Sequence, residues 1–151
     1  MITDELKALN LSLPPIAPPG GSYVSVNVRG NIAYVAIQFP ILGDEYKYTG
    51  RYGWELSTAD GYKAAELTAL NILAQIDHYV GFERVEGLNH LDIYYQCAVG
   101  WDEAPKVANG ASDLFVKVLD DRGTHTRGIY GVDNLARNFS VGITSSFTLK
   151  V

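Results

Sequence analysis

STADGYKAAELTALNILAQIDHYV, residues 57–80, decides how the rest of the chain is read. Thr58, followed by Ala59 and Asp60, opens a helix that runs to about Val80. Ala65, Ala69, Ile72, Leu73, Ile76 and Val80 recur at the three-and-four spacing of one helical face. The small residues at its start suit close packing onto a sheet, and the flanking segments supply the strands. Upstream, SYVSVNV and IAYVAIQF are β-rich runs around a turn at Arg29–Gly30–Asn31, the pattern of a hairpin. Downstream, a strand near LNHLDIYYQCAV precedes a second helix begun by Pro105, with Val107, Ala111, Leu114, Phe115 and Val118 as its buried stripe. Two further strands follow, around 124–132 and 139–150.

Ahead of these elements, Thr3 is placed to cap a helix of two turns with Ile2, Leu6 and Leu9 on one face. LPPIAPPGG, residues 13–21, rules out helix and reads as an extended connector. Residues 40–56 hold a loop with a short strand near Tyr46–Tyr48. The order β-β-α-β-α-β-β predicts one α+β domain over 1–151, with residues 1–21 as an N-terminal helix and Pro-rich arm. Two helices should cover one face of a mixed sheet. The alternating apolar residues of FSVGITSSFTL, with Val141, Ile143 and Phe147, predict a contact between subunits on the uncovered face.

Composition narrows the function. The 151 residues are 47% hydrophobic and 19% charged, ordinary for a folded globular domain. A net charge of −5 with no Lys/Arg cluster sets the chain against phosphate-rich partners, so no nucleic-acid partner is expected. No apolar run approaches the roughly 18–20 residues of a membrane span. MITDELKAL lacks the basic start and apolar block of a signal peptide, which makes a cytoplasmic location the expectation. The one cysteine, Cys97, has no internal partner and reads as a packed strand residue. His78, His90 and His125 show no metal-binding spacing, and no phosphate loop, GxSxG elbow or CxxC occurs. No metal and no cofactor are expected.

One residue asks for a partner. In GTHTRGIYGV, residues 123–132, Arg127 has no Asp or Glu within five positions on either side. Side chains alternate across a strand, so His125 should share its face. Histidine titrates near neutrality and is suited to act as a base or to bind a second anionic group.

The chain resembles the RidA (YjgF) family of reactive-intermediate deaminases, and within it a divergent branch with a longer N-terminal arm. The residues that carry the resemblance are Tyr23 in GGSYVSV, the strand ending AYVAIQFP, the helix STADGYKAAELTALNILAQI, then VANGASDLF, HTRGIYGVDNL and the last hydrophobic strand. The resemblance implies a chorismate-mutase-like α+β unit that assembles as a trimer with ligand clefts between subunits. It implies hydrolysis of enamines and imines to a 2-keto acid and ammonia without a cofactor. Arg127 then matches the arginine that clamps the substrate carboxylate, a task its planar fork performs through two parallel hydrogen bonds. Tyr23 matches an aromatic lining the cleft, and Asn109 a polar helix residue beside it.

Three positions depart from the family. Its deaminating members carry a water-positioning glutamate on the last strand. Counted from Leu135, that position falls on Thr144, and the preceding in-register carboxylate on Gly142. A threonine hydroxyl orients water but takes no proton from it at neutral pH. A small Ser-Gly pair after the first turn is replaced by Ala36–Ile37, which narrows the cleft. The cysteine two residues beyond the arginine is Ile129, which makes the site more apolar. Three functions stay open: a trimeric imine hydrolase of low activity, a trimer that binds small carboxylates without chemistry, and a ribonuclease or translation inhibitor. The acidic charge speaks against the last.

Overall fold

Two long helices cover one face of a five-stranded mixed sheet in the computed structural model, which describes residues 1–151, and a short third helix packs beside them. The strands are β1 (Val26–Arg29), β2 (Ile32–Gln38), β5 (Val85–Tyr95), β6 (Thr126–Gly131) and β7 (Val141–Leu149), in the order β1-β2-β7-β5-β6. A separate small hairpin joins β3 (Ile41–Leu42) to β4 (Glu45–Tyr46). The helices are α1 (Ile2–Ala8), α2 (Thr58–Tyr79) and α3 (Ala104–Leu119). β5 and β6 run parallel, which requires the crossover that α3 provides. All other neighbours in the sheet are antiparallel.

The long helix forms where the spacing predicts, but its cap is Ser57. The Asp60 amide donates to Ser57 Oγ at 3.0 Å and the Ser57 amide donates to Asp60 Oδ2 at 2.9 Å, a reciprocal capping box. The Ser57 amide, with the Ser57 side chain second, holds the Asp60 carboxyl below its usual range. Thr58 instead ties α2 to α3: its hydroxyl donates to Glu103 Oε1 at 2.6 Å and accepts from Trp101 Nε1 at 3.0 Å. Two glycines let the helices approach. A Cβ on Gly61 would strike Val107 and Tyr52, and one on Gly110 would strike the Tyr62 carbonyl.

α1 begins at Ile2 with Met1 as its N-cap and no side-chain cap, so Thr3 lies inside the helix. Ile2 and Leu6 are buried, whereas Leu9 is exposed at the C-cap. The arm then runs along α2, where Gln75 Nε2 donates to the Ala17 carbonyl at 3.1 Å. β5 starts and ends earlier than the sequence suggests. Beyond Tyr95 the chain turns into a bridge between Cys97 and Tyr52.

The alternation in β7 has a different cause from the one expected. Val141, Ile143, Phe147 and Leu149 are almost wholly buried in the protomer's own core. Phe147 meets Phe115 of α3 edge to face, with centroids 6.2 Å apart. Each large side chain so buried contributes about 1.5–3 kcal/mol. Val141, Ile143 and Phe147 therefore serve the core of the single chain and are not the subunit contact that their alternation predicted. The uncovered face holds Tyr34, His90, Asp92, Tyr94, Tyr130, Gly142, Thr144 and Ser146, as the strand registers require.

Candidate functional site

Arg127 pairs in register with Leu91, a core residue, so it projects toward the helices from the edge strand of the sheet. There Nη1 donates to Asn109 Oδ1 at 2.9 Å and to Ser112 Oγ at 3.0 Å. Asn109 and Ser112 are three residues apart on α3 and so share one helical face. No carboxylate lies within ion-pair distance of the guanidinium, and Nε and Nη2 make no bond to the protein. The arginine is thus oriented by neutral acceptors, with no ion-pair partner in the protomer.

His125 joins the same cluster, as the alternation predicts. Its Nδ1 lies 2.6 Å from the Gly123 carbonyl and its Nε2 lies 2.9 Å from Ser112 Oγ. A carbonyl only accepts, so Nδ1 carries a hydrogen. Gly123 can reach this place because it packs directly on the Phe115 carbonyl, where a Cβ would not fit. Ile129 follows on the same strand face and packs against the core. Sequence reasoning missed Ser112; its spacing of three from Asn109 was the available signal.

Tyr23 and Ile37 lie elsewhere, in a cavity of about 410 Å³ between the Pro-rich arm and the end of β2. Phe39, Tyr46 and Phe139 form its aromatic wall, with Phe39 and Phe139 stacked at 4.5 Å. Arg137 caps it, its guanidinium carbon 5.7 Å from the centre of the Tyr46 ring. Arg137 sits at φ 53°, in a segment pinned by Gln96: the Leu135 amide donates to Gln96 Oε1 at 2.7 Å, and Gln96 Nε2 donates to Asn138 Oδ1 at 2.9 Å. Ile37 and Phe39 also fill the space over Gly142; a Cβ there would lie 2.8 Å from Ile37 Cδ1.

Thr144 occupies a third place, on the uncovered face, in a hollow of about 270 Å³ with His90 and Asp92. It stands directly opposite Asp92 across the strands. His90 bridges Thr126 Oγ1 at 2.7 Å and Asp92 Oδ1 at 2.9 Å. The Asp92 carboxylate beside Tyr130 pushes that phenol up from its ordinary value. One protomer thus gathers Arg127, Asn109 and His125 and holds Tyr23, Ile37 and Thr144 apart from them. No three His, Cys, Asp or Glu side chains converge in a metal-holding cluster, and no helix is long and apolar enough to cross a membrane.

A mixed sheet with its helices on one face defines a chorismate-mutase-like α+β domain, here with an arginine that has no acidic partner at the sheet edge. The family model described as "YjgF/chorismate_mutase-like, putative endoribonuclease" matches residues 3–145. The chain belongs to this YjgF (RidA) family. Protein TCP17 of Trypanosoma cruzi is 32% identical over 136 residues, which cover 89% of this chain and 85% of the relative. A crystal structure from Shewanella oneidensis MR-1, which carries the same endoribonuclease description, superposes with a TM-score of 0.96 at 27% identity, covering 99% of both chains. Escherichia coli TdcF, crystallised with bound serine, shares the fold at a TM-score of 0.58 and 12% identity, with 93% of this chain and 99% of that one covered.

Proposed function

We propose that this protein is a homotrimer that binds small 2-keto and 2-imino carboxylates in clefts between subunits, with Arg127 as the carboxylate clamp. The observation that carries the reading is the guanidinium itself: Nη1 is fixed by Asn109 and Ser112, while Nε and Nη2 stay free of protein partners. A carboxylate docked on that free edge makes two charge-assisted hydrogen bonds at no cost in broken ion pairs. Serine bound to TdcF is a small carboxylate of the same class.

Sheet geometry supports the subunit cleft. Ile37 on β2 and Arg127 on β6 stand three strand spacings apart, about 14 Å, too far for one small metabolite to touch both. A neighbouring protomer that places its Tyr23 and Ile37 wall, and its Thr144, against this Arg127 edge closes the distance. Ile129 and Ile37 then make the cleft apolar, and Asn109 keeps the clamp in register. No cofactor enters.

Turnover of imines to 2-keto acid and ammonia is slow so far as it depends on the last strand. Thr144 replaces a carboxylate, and a positioned base supplies about 10²–10⁴ in rate. The net charge of −5 weighs against a phosphate-rich partner such as RNA.

Calorimetry with pyruvate on the wild type and on Arg127→Ala tests the clamp. Removing hydrogen bonds to a charged group costs about 1.5–3 kcal/mol, roughly a tenfold to 150-fold loss of affinity. Equal affinities of the two proteins would refute it.

A further inference from the structure

We propose that Ser112 and His125 form a proton relay serving a 2-imino acid whose carboxylate Arg127 holds, so that the base missing from the last strand is supplied from α3 and the start of β6. The inference rests on the carboxylate reading above and adds to it the path of the proton.

The path follows from the hydrogen-bond polarity. His125 Nδ1 donates to Gly123 O at 2.6 Å, which leaves Nε2 of the neutral ring as an acceptor. Ser112 lies 2.9 Å from Nε2, so its hydroxyl donates there. The Ser112 oxygen in turn accepts from Arg127 Nη1 at 3.0 Å. The serine is thus polarised from both sides: its proton faces a base, and its oxygen faces the cation that would stabilise a developing negative charge. A backbone carbonyl fixes the tautomer, the part that an acid plays for other catalytic histidines.

The other groups around His125 leave this polarity undisturbed. From its own strand comes Arg127. From α3 come Ser112 and the Phe115 ring, whose centroid is 6.5 Å away, while Asp113 is engaged with the Tyr62 hydroxyl at 2.7 Å. The turn at Asp120–Gly123 leads into His125 and holds Asp120, Asp121 and Arg122, the last donating to the Val85 carbonyl at 3.0 Å. No carboxylate bonds the imidazole.

The chemistry balances. Water attacks C2 of the protonated imine; the O–C bond forms and the π pair moves to nitrogen. The water proton passes to Ser112 Oγ as the serine proton passes to His125 Nε2. The imidazolium returns a proton through Ser112 to the amine of the carbinolamine. The C–N bond then breaks with its pair leaving as ammonia, which takes the remaining hydroxyl proton and departs as ammonium, giving the 2-keto acid.

The test uses 2-iminopropanoate, made in place from alanine by an amino-acid oxidase and followed through semicarbazide trapping, beside pyruvate calorimetry on each protein. Ser112→Ala and His125→Ala should lower kcat by about a hundredfold or to background, whereas pyruvate affinity stays within a few-fold in His125→Ala and falls by no more than roughly tenfold in Ser112→Ala, the cost of loosening one Arg127 anchor. Ser112→Thr, which keeps the hydroxyl, should retain turnover, and added imidazole should restore part of the His125→Ala rate. Wild-type kcat in Ser112→Ala would overturn the relay, as would parallel loss of binding and turnover, the mark of a purely structural link. A wild type that binds pyruvate through Arg127 yet leaves imine decay unchanged overturns the relay and leaves the clamp standing. Absence of pyruvate binding in the wild type overturns the clamp itself.

Discussion

Asn109 is the most informative single position in this account, because it holds the clamp without being part of the ligand contact. Its Oδ1 accepts one of the two hydrogens on Arg127 Nη1 at 2.9 Å, and Ser112 accepts the other. In Asn109→Ala the guanidinium is tethered by Ser112 alone and regains rotamer freedom that the ligand must remove again. Immobilising such a side chain costs about 0.5–1.5 kcal/mol, so pyruvate should bind roughly twofold to twelvefold more weakly. Asn109→Asp sharpens the test. It sets a carboxylate where the amide oxygen now accepts, pairs with the arginine, and competes with the ligand for the same charge. Its loss of affinity should exceed that of the alanine variant although its fold is no less stable. Calorimetry gives the affinities and thermal unfolding gives the stability. An Asn109→Asp protein that binds as well as the wild type would show that Arg127 is not the anchor.

Three predictions concern the scaffold. Ser57→Ala removes the hydroxyl that accepts from the Asp60 amide, leaves the bond from its own backbone amide to Asp60 Oδ2, and should cost about 1 kcal/mol, read as a lower midpoint in urea unfolding. The carboxylate half of the box is tested by Asp60→Asn: because the folded protein holds the Asp60 carboxyl below its ordinary value, chiefly through the Ser57 amide, its contribution is complete at neutral pH and is lost as pH falls through that lowered value, so wild type and Asp60→Asn should converge in acid. Gly110→Ala would gain roughly 1 kcal/mol from helix propensity on an open helix. Here the added methyl meets the Tyr62 carbonyl, and overpacking of about 1–3 kcal/mol should win, giving a net loss of stability in the same assay.

Periodicity carried most of the fold. The stripe from Ala65 to Ile76, the Gly30 turn and the Pro105 helix start were legible because each is a local signal with one common structural cause. What periodicity cannot show is which body covers an apolar face. Val141, Ile143 and Phe147 alternate as an interface would, yet they lie under α2 and α3. The caps were read one residue late at α2 and two late at α1, since Ser57-x-x-Asp60 and Thr58 compete locally as caps and α1 takes none. At the site, alternation placed His125 beside Arg127, and the family resemblance placed Asn109. Ser112 stayed hidden because its spacing of three from Asn109 gains meaning only once a strand residue reaches that helical face.

The central claim is that a small carboxylate sits on the free edge of Arg127. A crystal structure of the protein soaked with pyruvate tests it most directly. The account predicts both carboxylate oxygens within hydrogen-bond distance of Nε and Nη2, with Asn109 and Ser112 still holding Nη1 and a neighbouring protomer's Tyr23 facing the ligand. Pyruvate bound instead at Arg137, in the cavity behind the Pro-rich arm, with the Arg127 edge left to solvent, would contradict it.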